Sequence, residues 1–81
     1  MTVLLFGVTR DIVGSGSLEI PDSESHQLHT VKDLKEHLKN GYPQLQELTS
    51  LAIAVNQTYA RDGDPIQQTD EIALIPPVSG G

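Results

Sequence analysis

Only one stretch of this chain, Thr30–Asn40, carries a helical apolar period long enough for a packed helix. Val31, Leu34 and Leu38 recur at helical spacing and form one stripe, while Lys32, Lys35, Glu36 and Lys39 fall on the other face. Thr30 is a natural N-cap, and Asp33 three residues on stands where a capping box has Glu. Lys39 in the last turn suits the helix dipole, and Gly41 is placed to end the helix in the left-handed region. A chain of 81 residues with one such helix must make its core by laying that stripe on a sheet.

The remaining apolar runs are short enough to be the strands of that sheet. Thr2–Val8 reads as the first, with Val3 and Leu5 on one parity and Leu4, Phe6 and Val8 on the other. A strand apolar on both parities is central, or keeps one face for a partner. Gly14-Ser15-Gly16-Ser17 is a turn, Ser17–Ile20 a second strand, and Pro21-Asp22 its end. After the helix, Leu45 and Leu48 within Gln44–Leu51 suggest a short second helical turn. Leu51–Val55 and Thr58–Ala60 are strands joined at an Asn56-Gln57 hairpin tip, since Asn tolerates positive φ. Asp62-Gly63-Asp64-Pro65 is a turn, and Ile72–Ile75 is the last strand, Ile72 and Leu74 inward and Ile75 outward. The expected class is α+β: a mixed five-stranded sheet with one main helix on one face and a short second helix. With the first and last strands parallel and adjacent in the middle, this is the β-grasp, or ubiquitin-like, arrangement. It spans residues 1–75 and leaves 76–81 as an extended tail.

A domain of this size buries only about 60–65% of its unfolded surface, and small domains often add disulfides or zinc. No cysteine is present, which excludes disulfides, thiolate zinc sites and a cysteine nucleophile. With aromatics at 4%, the core has to be aliphatic. Eleven acidic against five basic residues, a net charge of −6, argue against nucleic acid and anionic membrane as partners. They are compatible with a basic protein partner and equally with solubility alone. No apolar run approaches the roughly 20 residues of a membrane span. The start, MTVLLFGVTR, lacks a basic region and a cleavage site, so no signal peptide is expected and the cytoplasm is the expected compartment. No metal site is expected: His26, His29 and His37 read as solvated, and Asp62-x-Asp64 lacks the twelfth-position Glu of a calcium loop. Gly14-x-Gly16 has no following helix and is not a nucleotide loop.

The end of the chain carries the chemistry. Pro76-Pro77 cannot continue a central strand and stiffens the path, and Val78-Ser79-Gly80-Gly81 thins to a tip without side chains. Extended, these six residues reach about 20 Å. That shape suits insertion of a terminal carboxylate into a narrow channel. The chemistry open to a bare carboxylate is acyl activation: an ATP-using enzyme makes the acyl-adenylate, and a sulfur donor converts it to a thiocarboxylate. A frayed, idle terminus is the bland alternative.

At this point the chain resembles the small subunit of molybdopterin synthase, a sulfur carrier of the ubiquitin-like superfamily. The resemblance lies in Phe6-Gly7-Val8-Thr9-Arg10-Asp11-Ile12-Val13-Gly14, in Thr30 and Leu34, in Ala54-Val55-Asn56-Gln57, and above all in Asp70–Gly81 with its Pro-Pro-Val-Ser-Gly-Gly ending. It implies that Gly81 is adenylated with ATP by a ubiquitin-activating-like adenylyltransferase, and that a sulfurtransferase supplies sulfur. No cofactor is held permanently. The thiocarboxylate then enters the large subunit, in an assembly of two large and two small chains. There two of them convert a cyclic pyranopterin precursor to molybdopterin dithiolene. The small subunit is not catalytic alone. Pro76, Pro77, Val78, Ser79 and Gly80 would be the inserted tail, and Phe6, Arg10, Tyr59 and Ile75 the partner interface. Thr69 stands where the family usually has Gly, and Tyr59 where it has an aliphatic residue. The alternatives are a related carrier of a thiamine or amino-acid pathway, and a ubiquitin-like modifier joined to lysines.

Overall fold

The computed structural model describes residues 1–48 and 50–77. Five strands, β1 (Thr2–Leu5), β2 (Ser17–Glu19), β3 (Ala52–Val55), β4 (Thr58–Ala60) and β5 (Ile72–Ile75), form one sheet in the order β2-β1-β5-β3-β4. β1 and β5 are parallel, as expected, and the other pairings are antiparallel. The inward parities carry Val3 and Leu5, Ile53, and Ile72 and Leu74, all buried. The main helix (Val31–Gly41) lays the buried Val31, Leu34 and Leu38 on that face, so one helix stripe and one sheet face supply most of an aliphatic core. Leu45 joins them from a 3₁₀ turn, Pro43–Glu47. Asn56 and Gln57 both take positive φ, 52° and 70°, at the β3–β4 hairpin tip.

The main helix starts as its sequence requires. Thr30 Oγ1 accepts the Asp33 N–H at 3.2 Å, and Asp33 Oδ2 accepts the N–H groups of His29 (3.1 Å) and Thr30 (3.2 Å). Two further donors of the first turn are satisfied by the 61–66 loop: Val31 N–H donates to Asp64 O and Lys32 N–H to Asp62 O.

Three sequence readings need correction. The first strand stops at Leu5 rather than Val8, because the chain turns into a helix, α1 (Gly7–Val13). Thr9 makes that turn: its hydroxyl accepts the Phe6 N–H at 3.1 Å and donates to the Phe6 carbonyl at 2.6 Å. A second unread helix, α2 (Asp22–Ser25), is a single turn behind Pro21; the main helix is accordingly α3. Gly41 lies inside α3 and does not end it. Tyr42 does, at φ −133° and ψ 83°, since Pro43 disfavours helical backbone in the residue before it. The left-handed glycine cap is at Gly14 instead (φ 87°), whose N–H donates to Arg10 O at the end of α1.

Candidate functional site

Parallel pairing of β1 with β5 brings both strands out at the same end of the sheet. Val3, Leu4 and Leu5 stand opposite Ile72, Ala73 and Leu74, so Phe6-Gly7 comes beside Ile75-Pro76. The approach is close: a Cβ on Gly7 would lie 3.1 Å from Cγ of Pro76, and Gly7 holds φ +55°. Glycine is needed here for both reasons. The β1–α1 turn is thus a seat for Pro76 at the root of the tail, and both Pro76 and Pro77 are half-buried.

The sheet face turned away from α3 is apolar at this end. Its parity carries Leu4 on β1, Ala73 and Ile75 on β5, Ala52 and Ala54 on β3, and Tyr59 on β4. Ala54 faces both Ala73 and Tyr59, and Ala52 faces Ile75. Phe6 keeps extended backbone (φ −134°, ψ 153°) and so continues the parity of Leu4. Three alanines therefore make a low floor between larger groups. Phe6 is 48% exposed and Tyr59 71%, the latter on an edge strand. Leu4, Ala52, Ala54, Ala73 and Ile75 between them are half-buried. The far end of this face is polar: Thr2 pairs with Glu19, whose carboxylate accepts the Thr2 hydroxyl and lies 3.5 Å from the Met1 amine. The Thr2 bond, with help from that amine, holds Glu19 below the ordinary carboxylate range.

The sequence-predicted residues are thus largely brought together. Phe6, Ile75, Pro76 and Pro77 share one end of the sheet, and Tyr59 lies on the same face, two strands or about 10 Å from β5. Phe6 is a surface group, and Ile75 is half-buried and outside the core cluster. Arg10 stands apart, inside α1 over Gly16, its Nε 3.8 Å from where a Gly16 Cβ would sit. It is exposed and has no ion pair among the described residues. Val78, Ser79, Gly80 and Gly81 lie outside the described residues. Sequence reasoning missed Leu4, Ala52, Ala54 and Ala73 as the floor, although the two-parity apolar pattern of the first strand pointed to such a face. It also missed the seat at Gly7. No three histidines or acids gather as a metal site among the described residues, and no helix there is long and apolar enough to cross a membrane.

A mixed five-stranded sheet, one main helix on one face and a tail leaving the central strand together define a ubiquitin-like β-grasp protein. Residues 3–81 match the ThiS family, and the chain belongs to that family. It is 40% identical to a molybdopterin synthase sulfur carrier subunit of Dictyostelium discoideum, over 98% of this chain and 93% of that one. Among solved structures it is similar to small archaeal modifier protein 1 of Methanosarcina acetivorans (TM-score 0.76, 25% identity, 99% of this chain and 94% of that one). It is also similar to a chain in the complex of subunits 1 and 2 of molybdopterin-converting factor from Helicobacter pylori 26695 (TM-score 0.63, 26% identity, 99% and 96% covered).

Proposed function

We propose that this chain is the sulfur carrier subunit of a molybdopterin synthase, working in the cytoplasm, and that the carboxylate of Gly81 carries the sulfur. The observation that carries the reading is the sheet end: the central strand delivers Pro76 against Gly7 beside an uncovered apolar face, and the sequence beyond is Pro77-Val78-Ser79-Gly80-Gly81. The relative from Dictyostelium discoideum, by its name, adds the pathway.

The steps follow from acyl chemistry. A ubiquitin-activating-like adenylyltransferase docks the Phe6, Tyr59 and Ile75 face, and the Gly81 carboxylate attacks the α-phosphate of ATP, releasing pyrophosphate. A sulfurtransferase delivers sulfur at the sulfide level. Sulfur attacks the acyl carbon, AMP leaves, and a thiocarboxylate remains. The same face then seats on the large subunit, where the slender tail presents sulfur to the cyclic pyranopterin precursor. Two loaded chains supply the two dithiolene sulfurs, in keeping with an assembly of two large and two small subunits. The likeness to a chain of the H. pylori complex supports a large-subunit partner. Among the chain's own residues, Phe6, Tyr59 and Ile75 bind, Arg10 adds a cation at the margin, and Gly80 keeps the approach narrow.

A second reading rests on the likeness to an archaeal modifier protein: the same acyl-adenylate attacked by a lysine amine would give an isopeptide bond. One incubation separates the two. The full chain with activating enzyme, ATP and sulfide should gain the sulfur-for-oxygen mass difference at Gly81. Failure to gain it overturns the carrier reading, and stable lysine conjugates in its place would establish the modifier.

A further inference from the structure

β2 ends the sheet and is paired on its inner side only. Ile20 N–H donates to Met1 O at 2.8 Å, the Met1 amine donates to Ile20 O at 3.0 Å, and Leu5 N–H donates to Gly16 O at 2.9 Å. Bonded residues alternate in an antiparallel ladder, so Leu18 turns its main-chain groups toward Val3, while Ser17 and Glu19 turn theirs outward. No main-chain partner meets Glu19 N–H or C=O there among the described residues. Beside this edge a groove of about 490 Å³ opens between β2 and the C-terminal half of α3. Leu18, Ile20, Leu38 and Tyr42 give it apolar walls.

Its charge is mainly acidic. Lys35 Nζ donates to Asp62 Oδ1 at 2.9 Å, and this bond, with Lys32 and Lys39 nearby, holds Asp62 below the ordinary carboxylate range. The lysines of α3 are thus gathered toward the Asp62 loop. The groove has Glu19 and Glu24 on its rim and no lysine or arginine among its described lining. The basic groups beside it are His37, with Nε2 3.9 Å from Glu24 Oε1, and the Met1 amine, 3.5 Å from Glu19 Oε1.

We propose that this edge binds an extended basic segment of a partner protein as an added strand. The segment pairs with Glu19 and with the Ser17 carbonyl (the Ser17 N–H donates to Ser15 Oγ at 3.4 Å), places alternate apolar side chains in the groove, and sets lysine or arginine against Glu19 and Glu24. Charge selects this occupant over the others. A second copy would bring Glu19 and Glu24 against their own kind on a chain of net charge −6. The chain's own tail has no basic residue, and Pro76 and Pro77 lack the N–H groups an added strand uses. β5, which carries the tail, is two strand spacings, about 10 Å, from β2, and β4 with Tyr59 is four, so the tail root and Tyr59 stay open. This site does not depend on the carrier reading.

The test is an NMR titration of the isotope-labelled full chain with the capped peptide Lys-Val-Lys-Val-Lys-Val-Lys. The proposal expects shifts at Ser17–Ile20 and His37–Tyr42, slower hydrogen exchange at the Glu19 amide, and weaker binding at high salt. The double variant Glu19→Lys, Glu24→Lys should bind roughly tenfold more weakly or worse. Glu24→Lys alone, on an exposed turn, should weaken binding in the same direction even if the double variant unfolds. Shifts centred on Leu4, Ala54, Tyr59 and Ala73 would overturn the proposal. So would binding indifferent to charge reversal, equal binding of the Glu-Val counterpart, or self-association through β2 without peptide.

Discussion

Gly7 joins positive φ to a close approach, so it tests the seat of the tail directly. Gly7→Ala imposes a left-handed backbone cost of about 1–2 kcal/mol, and its Cβ must also displace Pro76. Urea unfolding should show a loss of at least that size, and the tail root should shift. An unchanged midpoint would mean the turn does not hold Pro76. The same scale separates surface from core in the apolar face. Phe6 and Tyr59 are 48% and 71% exposed, so Phe6→Ser and Tyr59→Ser should leave the unfolding midpoint nearly unchanged. Both should weaken large-subunit binding by roughly tenfold or more if these aromatics are anchors. Calorimetric titration against the large subunit reads this, and unaltered affinity would remove them from the interface.

At the scale of elements, α3 is the piece whose stability is most clearly encoded. Thr30→Ala removes an N-cap acceptor and should cost about 1 kcal/mol. Asp33 is held below the ordinary carboxylate range by the N–H groups of His29 and Thr30. A depressed carboxylate stabilises the fold above its unfolded value, near 3.9, and that contribution is lost as pH falls through the lower folded value. The urea midpoint should therefore be nearly flat from about pH 7 to 5 and fall below about pH 4. In Asp33→Asn the fall should be shallower; an identical profile would contradict the assigned bonds. This helix was legible because its cap and stripe are local. The strands β2 to β5 and the hairpin tip were legible for the same reason, each carrying its period and its turn residues. Helix α1 was not. Its start uses Phe6, which offers no side-chain acceptor, and relies on a hydroxyl bond from Thr9 that only the folded turn shows. Val8, Ile12 and Val13 also read as strand formers. Gly41 misled because the stop comes from Pro43 two residues on, while the left-handed cap went to Gly14.

Across the whole molecule, one sheet face is spent on the aliphatic core and the other is left with an apolar floor next to the departing tail. The alternation of inward and outward residues made the first visible in the sequence. The second needed register, because only pairing puts Ala52, Ala54 and Ala73 between Tyr59, Ile75 and Phe6. Gly81 is a terminal residue without a side chain, so its removal should leave the unfolding midpoint in place while abolishing sulfur loading. The central claim is that Gly81 is where the sulfur rides. Its most direct measurement is a single-turnover reaction of the thiocarboxylated chain with a molybdopterin synthase large subunit and the cyclic pyranopterin precursor, followed by intact mass and product formation. Two chains should return to the carboxylate for each molybdopterin formed, and none should form with the Gly81-deleted chain. Product without loss of sulfur from Gly81, or no product from the loaded chain, would contradict it.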